Sequence, residues 1–183
     1  VMLPRPGSKH AFRPVQPGAR RFRGITASRT RDAPEIDGRP GDLPWEDALA
    51  FGKFVRPDGK LASHQTSVKV LYDDRALYLL FECEEPEPDK IAARHTRRDE
   101  PVWADDAVEI FLSPVGLRHE KRAVYFHLAV NSKGVRFDEE RTRRSWNASW
   151  RAATQVGTDR WTVEVAVPFR SLRTRPPQKG ETN

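Results

Sequence analysis

Cysteine and methionine are almost absent from this 183-residue chain, which has one residue of each. A single cysteine, Cys83, excludes an intramolecular disulfide and a cysteine-based zinc cluster. Long apolar runs are missing too, since no stretch approaches the roughly 18 residues that a membrane-spanning helix needs. The first residues also lack the apolar segment of a signal peptide. We therefore expect no membrane-spanning segment in this chain, and an export signal would lie outside it.

Enzyme fingerprints are missing as well. The sequence has no P-loop, no dinucleotide-binding glycine pattern and no constellation of Ser, His and Asp. Asp105, Asp106 and Glu109 come nearest to a catalytic pair, since glycosidases use two carboxylates about 5 to 10 Å apart. Adjacent strand residues point to opposite faces, however, so Asp105 and Asp106 would not converge on one substrate. The sequence predicts no catalytic residue and no enzyme activity.

The net charge of +6 is concentrated at one end of the chain. Residues 1–31 carry 8 of the 32 basic residues and no acidic residue, which leaves 24 basic against 26 acidic residues in the rest. The rest of the chain has no net positive charge to offer nucleic acid, which is therefore not predicted as a partner. Residues 1–23 combine positive charge with proline and glycine, a composition typical of disorder. We predict a basic Pro/Arg-rich disordered linker over residues 1–23 and one domain over residues 24–183.

Short segments of alternating apolar and polar residues follow the predicted linker. They cover residues 66–72, 76–84, 108–112, 124–130 and 161–167. The first two flank a short polar turn and predict a β-hairpin. Helical signals are confined to short turns near residues 45–49, 89–93 and 169–172. Strands without long intervening helices indicate an all-β, antiparallel β-sandwich of jelly-roll-like form with a few short helical turns.

Five short motifs are spread over the same region. They are Pro34–Gly38 with Trp45 after it, Val68–Tyr78, Trp103–Leu112, Ala129–Gly134 and Trp161–Phe169. Together and in this order they resemble the family 9 carbohydrate-binding domain. The resemblance implies a sandwich that binds carbohydrate without catalysing a reaction and serves polysaccharide breakdown, often beside a catalytic domain. It also implies a secreted, periplasmic or cell-surface protein.

The resemblance further implies where sugar would bind. In the sugar-binding members, a Trp before the Asp-Asp strand stacks on the sugar ring and a Glu within that strand accepts sugar hydroxyls. The matching residues here are Trp103 and Glu109. Sugars present C–H-rich faces to aromatic rings and hydroxyls to carboxylates, so the combination suits such a site. We add His127, on the polar face of its strand, and Arg98, in the loop before Trp103, as carbohydrate-binding candidates.

Two departures from the family pattern concern this site. Members that hold sugar between two tryptophans have the second beyond the position that matches Asn183. We therefore expect a domain truncated at its C-terminus, with a further domain attached there in the parent protein. The strand that carries polar sugar contacts in those members offers His127 and Ala129 here, so the identity of the sugar is not predicted.

No cofactor and no metal site is predicted. A structural calcium ion stays open as an alternative, because Asp105, Asp106 and Glu109 carry the carboxylates that calcium prefers. The other tryptophans are interpreted as packing residues, in the core for Trp45 and Trp161 and under a loop for Trp146 and Trp150.

Two alternatives of other kinds also stay open. A related sandwich binds haem through axial ligands. Because Met2 falls in the predicted linker, this alternative needs two of the histidines His64, His95, His119 and His127. The second alternative is an interaction domain at the front of a larger outer-membrane protein, with no sugar site. Both alternatives have the same β-sandwich fold and differ from the carbohydrate-binding hypothesis only in what the domain binds.

Overall fold

Two β-sheets form within residues 26–114, 124–141, 143 and 145–177, the part of the chain that the computed structural model describes. The predicted linker over residues 1–23 lies outside these residues, as do residues 178–183. The strands are β1 Ser28–Arg29, β2 Ala50–Phe51, β3 Thr66–Tyr72, β4 Ala76–Glu84, β5 Ala107–Leu112, β6 Phe126–Asn131, β7 Arg136–Glu140, β8 Arg151–Val156 and β9 Arg160–Pro168.

The large sheet has the strand order β1-β3-β4-β9-β8, with β2 also paired to β3. The small sheet has the order β5-β6-β7. All pairs are antiparallel except β1 with β3, which is parallel. The predicted hairpin is formed by β3 and β4, whose register joins Tyr72 to Leu77 across the turn. The predicted all-β sandwich is confirmed.

Within the described ranges, helical structure is confined to short turns, as predicted. The helix α1 covers Leu43–Glu46, and 3-10 turns cover Pro88–Lys90, Val102–Ala104 and Phe169–Leu172. Pro44 stands in the first turn of α1, where a proline costs no hydrogen bond. Within the described residues no helix has the length and apolar character needed to span a bilayer.

The core lies between the facing surfaces of the two sheets. Alternate residues of β5 and β6 point inwards, where Ile110 and Leu128 meet Val163 and Val165 of β9. Burying each such side chain contributes roughly 1.5 to 3 kcal/mol relative to leaving it in water. Cys83 belongs to the same cluster, and burial raises the pKa of its thiol to about 11. The one cysteine is therefore a packing residue with little thiolate at neutral pH.

A buried carboxylate ties the N-terminal part of the domain to the outer face of the large sheet. Glu164 of β9 is fully buried. Its Oε2 accepts hydrogen bonds from the backbone N–H groups of Asp37 and Gly38 at 3.0 and 2.7 Å. Its Oε1 accepts one from the indole Nε1 of Trp45 at 2.8 Å. We call these four residues, Asp37, Gly38, Trp45 and Glu164, the Glu164 clasp. Through it the first sequence motif, which contains Asp37, Gly38 and Trp45, binds to the last motif, which contains Glu164.

The clasp depends on a glycine, which gives a first prediction. Gly38 has φ of +88°, and an added Cβ would lie 2.7 Å from the backbone carbon of Thr154. We expect Gly38→Ala to lower the free energy of unfolding by about 2 to 4 kcal/mol, from backbone strain plus overpacking. Gly41→Ala is the control, because no atom lies within 4 Å of its added Cβ. Urea unfolding of both variants is the measurement, and equal losses would contradict this account of Gly38.

The pH dependence of stability gives a second prediction. Burial raises the pKa of Glu164 above its ordinary value of 4.5, against the opposing effect of its three donors. The folded protein then binds this proton more tightly than the unfolded chain. The stabilisation is fully present below about pH 4.5 and is lost as the pH rises through the raised pKa. We therefore expect the free energy of unfolding to decrease as the pH rises above 4.5.

The control for this experiment is Glu164→Gln, which has no proton to lose. Asp73 and Asp105 do not obscure the result, because their pKa values are lowered and they titrate below 3.8. Urea unfolding at a series of pH values compares the two proteins. The same decrease in the variant would show that another group is responsible.

Candidate functional site

The outer face of the small sheet carries three of the four carbohydrate-binding candidates. Side chains in register across a sheet lie on the same face. The register of β5, β6 and β7 places two rows on this face, first Glu109, Ala129 and Phe137, then Phe111, His127 and Glu139. The residues between them in sequence point into the core.

Trp103 is mounted on this face by the 3-10 turn that precedes β5. The turn places Val102 and Trp103 against Ala129 and Phe137, with Val102 and Ala129 fully buried. Ala129 is small, and the turn can therefore lie close to the sheet. The Trp103 ring meets Phe137 edge to face, with centroids 4.6 Å apart and planes at 79°. Trp103 is partly exposed, so an aromatic surface is held rigidly beside the sheet.

Glu109 and His127 form the polar part of the site. His127 is only 7% exposed, and its ring stacks on Phe111 at 4.2 Å. Its Nε2 lies 2.9 Å from Oε2 of Glu109, and its Nδ1 lies 3.6 Å from Oε1 of Glu139. The first contact is close but lacks the alignment of a hydrogen bond, and Nε2 is shielded from solvent. His127 therefore lies beneath Glu109, and the exposed carboxylate of Glu109 is the group that a ligand can reach.

Arg98 is not brought together with the other three candidates. Its guanidinium pairs with Asp138 and donates to Asn147 Oδ1 at 2.6 Å and to the carbonyl of Ala148 at 3.2 Å. Asp138 stands opposite Leu128 of the core-facing row, so these contacts lie on the other side of the small sheet from Glu109. The buried Asp138 carboxylate also accepts bonds from Ala148 N at 2.6 Å and Trp150 Nε1 at 3.2 Å. Arg98 thus compensates a buried charge and ties the segment before β8 to β7.

Asp105 and Asp106 are both occupied by the protein itself. Asp105 accepts bonds from the N–H groups of Arg94 and His95 and from the side-chain amide of Asn131, at 2.9 to 3.1 Å. Burial opposes these bonds, yet together they hold the pKa of Asp105 below its ordinary value. Asp106 accepts the N–H of Ala92 at 2.7 Å. Both carboxylates therefore fasten the segment before the 3-10 turn to the small sheet.

The described parts of the chain offer few side chains that could ligate a metal ion or haem. No group of three or more His, Cys, Asp or Glu side chains in those parts is arranged to hold a metal ion. Of the four histidines from which the haem alternative needs two, His64 is exposed, His95 lies 3.1 Å from Asp105 and His127 lies beneath Glu109. His119 falls outside the described residues.

The remaining tryptophans are packing residues. Trp45 and Trp161 are buried, as predicted. Trp146 and Trp150 were predicted to pack under a loop, but Trp150 belongs to the core cluster and Trp146 packs against it, where its ring meets Phe126 at 4.8 Å. Sequence reasoning did not single out Phe111, Phe137 and Glu139 as parts of the site. The alternation of β5 already placed Phe111 beside Glu109, whereas Arg136–Glu140 is too charged to read as a strand.

Comparison with known proteins supplies the family and the fold. The family model described as "Carbohydrate family 9 binding domain-like" matches residues 36–182. No curated protein matches the chain. A carbohydrate binding module family 9 from Caldicellulosiruptor kristjanssonii in complex with glucose is 22% identical with a TM-score of 0.59, over 84% of this chain and 71% of that chain.

Two further solved structures share the fold. The Caldicellulosiruptor kristjanssonii module in complex with cellotriose is 21% identical with a TM-score of 0.57, over 82% of this chain and 69% of that chain. A candidate carbohydrate-binding protein from Bacteroides uniformis is 16% identical with a TM-score of 0.64, over 84% of this chain and 76% of that chain. At these identities the likeness concerns the arrangement of the strands.

The surroundings of Arg98 give a third prediction. Arg98→Ala would leave the buried Asp138 carboxylate without its charge partner, and such a loss costs about 3 kcal/mol or somewhat more. We expect a markedly lower melting temperature and, under conditions where the variant is folded, unchanged sugar affinity. Arg97→Ala is the control, since the Arg97 side chain is 83% exposed and should barely affect the melt. A stable Arg98 variant with weakened sugar binding would return Arg98 to the ligand site.

Proposed function

The chain belongs to the carbohydrate family 9 binding domain-like family, and from this premise we propose that it holds a sugar ring at Trp103 and Glu109 without catalysing a reaction. The observation that carries the proposal is the mounting of a partly exposed indole and an exposed carboxylate side by side on one rigid sheet face. The ligands in the related solved structures, glucose and cellotriose, support the same class of ligand.

The two side chains would divide the work of recognition. The Trp103 ring offers an apolar surface to the C–H groups of a pyranose, and its contact with Phe137 fixes its orientation before the sugar arrives. A preorganised ring loses little conformational freedom on binding. The Glu109 carboxylate accepts hydroxyl hydrogen bonds, which are stronger to a charged acceptor than to a neutral one.

His127 would act through Glu109. Nε2 at the edge of its imidazole lies 2.9 Å from the Glu109 carboxylate, and the Phe111 ring stacks on a face of the imidazole with centroids 4.2 Å apart. The ring is too buried to reach a sugar directly, but it restricts where the carboxylate can lie. We therefore propose His127 as a positioning residue for Glu109.

We also propose that the domain serves polysaccharide breakdown as a secreted, periplasmic or cell-surface protein, joined to a catalytic domain. Family membership supports this role, and cellotriose, the ligand of a related structure, is a fragment of a polymer that is degraded outside cells. Fractionation of the native host is the measurement, and full-length protein confined to the cytosol would contradict the placement.

Trp103→Ala gives the fourth prediction. Open sugar sites bind at micromolar to millimolar concentrations, or roughly 4 to 8 kcal/mol. Removing one stacking ring should cost about 1 to 3 kcal/mol of binding, by analogy with base stacking on aromatic side chains. Calorimetric titration with glucose and cellotriose, followed by a glycan array, measures the loss. Trp146→Ala is the matched control, since Trp146 packs on Phe126 away from this face and should affect stability alone.

Glu109→Gln completes the experiment, because it keeps the shape of the side chain and removes its charge. Glu109 is exposed, so we expect an unchanged melt and weaker binding. Glu46→Gln, an exposed acid on α1, is its control. If the wild type, Trp103→Ala and Glu109→Gln all had the same sugar affinity, the sugar would not bind at the outer face of the small sheet.

A further inference from the structure

A second concave region lies on the outer face of the large sheet, on the opposite side of the sandwich from Trp103. Register places Tyr78 of β4, Ala166 of β9 and Arg151 of β8 in one row across this face. The exposed Arg151 borders a depression that reaches the buried Tyr78 and Ala166. The resulting groove has a volume of about 670 Å³. This lies within the range of roughly 300 to 1,000 Å³ typical of small-ligand sites.

The groove continues past the turn between β3 and β4. An adjoining cleft of about 720 Å³ shares Ala33, Asp73, Asp74 and Arg75 with it. Pro168, which pairs with Ala76 beside Arg75, and Pro176 contribute rigid apolar walls, and Ser149 and Thr174 also line the groove. The concave surface is therefore elongated, with room for more than a single small ion.

The acidic residues of the groove are already engaged. Asp73 accepts bonds from the N–H groups of Arg75 and Ala76 at 2.7 and 2.8 Å and from the hydroxyl of Tyr78 at 2.8 Å. Asp74 forms an ion pair with Arg29 at 2.5 Å. Asp74 is thus paired with Arg29, and the charge of Asp73 acts on the neighbouring Arg75.

Two arginines of the groove, Arg151 and Arg170, have no such partner. Among the residues that the structure describes, no carboxylate lies within 4.0 Å of either guanidinium group. Arg151 is in register with Ala166 of β9, and Arg170 follows two residues after the end of β9, so both positive charges border the groove. Residues 32–183 have a net negative charge, yet Arg151 and Arg170 bring two positive charges without an ion-pair partner among the described residues to one groove.

We propose that this groove is a second binding site, which takes a carboxylate-bearing saccharide such as a chain of uronic acid units. Guanidinium groups bind carboxylates in a planar, two-pronged geometry, which supplies the recognition of the acid group. The proline walls and the neighbouring hydroxyls suit the remainder of a sugar ring, which has apolar faces and polar edges. The elongated shape favours an oligomer over an isolated anion.

The site is independent of the one at Trp103 and does not rest on it. The two lie on opposite outer faces of the sandwich and share no residue. A neutral sugar would use the Trp103 face, and an acidic chain would use the arginine groove. Either assignment can fail while the other stands.

The test is calorimetric titration of trigalacturonate and of cellotriose into the wild type and the double variant Arg151→Gln/Arg170→Gln. We expect the double variant to lose at least about tenfold in trigalacturonate affinity, or about 1.4 kcal/mol, and to keep its cellotriose affinity. Added salt should weaken trigalacturonate binding to the wild type, because the contacts are between exposed charges. The control is Arg56→Gln/Lys60→Gln, which removes the same charge from exposed residues between β2 and β3.

Other results would overturn the proposal. Equal trigalacturonate affinity in both double variants would show that net charge, not the groove, attracts the ligand. Polyglutamate binding as tightly as trigalacturonate would show a general anion surface and not a saccharide site. Trigalacturonate binding that is abolished by Trp103→Ala and untouched by Arg151→Gln/Arg170→Gln would assign the acidic sugar to the Trp103 face.

Discussion

The Glu164 carboxylate carries a charge into the outer layer of the large sheet, where no water reaches it. Burying a charge without hydrogen-bond partners is far more costly than any single apolar contact can offset. Its donors come from residues 37 to 45, more than a hundred positions away in the sequence. The N-terminal segment must therefore return across β9, and this return path covers Leu80 and Ala166 with Trp45. Arg151 of β8, which is in register with Ala166 at the edge of the sheet, stays exposed and borders the arginine groove.

On each of the two sides of the small sheet, a buried carboxylate with its hydrogen-bond partners fixes a neighbouring segment of the chain. Asp105 and Asn131 fix the segment before the 3-10 turn, and that segment then presents Trp103. Asp138, on the core-facing side, fixes the segment before β8 through Arg98 and Trp150. Buried polar groups of this kind specify one arrangement of loops, because each has a limited set of donors that fit. The rigidity of the sugar face is therefore inherited from polar contacts that never touch a sugar.

The sequence predicted the parts of this structure that depend on alternation. The strands β3, β4, β5, β6 and β9 have strict apolar periodicity, and all five form within two residues of their predicted bounds. β1 and β2 have two residues each and leave no periodic signal. β7 is charged and β8 contains two alanines, so their strand character comes from pairing with β6 and β9. The same holds for the site. Trp103 and Glu109 belong to one local sequence motif, and both could therefore be predicted. The engagement of Arg98 with Asp138 depends on a contact between residues 40 positions apart, which no local pattern reveals.

The parallel pairing of β1 bears on how the isolated domain behaves in solution. The free edge of β3 is divided between two short segments, with β1 at Leu71 and Tyr72 and β2 at Val68 and Lys69. An unprotected strand edge of this length invites pairing with a second molecule. The four residues of β1 and β2 therefore protect the edge of β3 from pairing with another molecule. An expression fragment that starts beyond Thr30 would lack β1, and the edge of β3 at Leu71 and Tyr72 would be open to pairing with a second molecule.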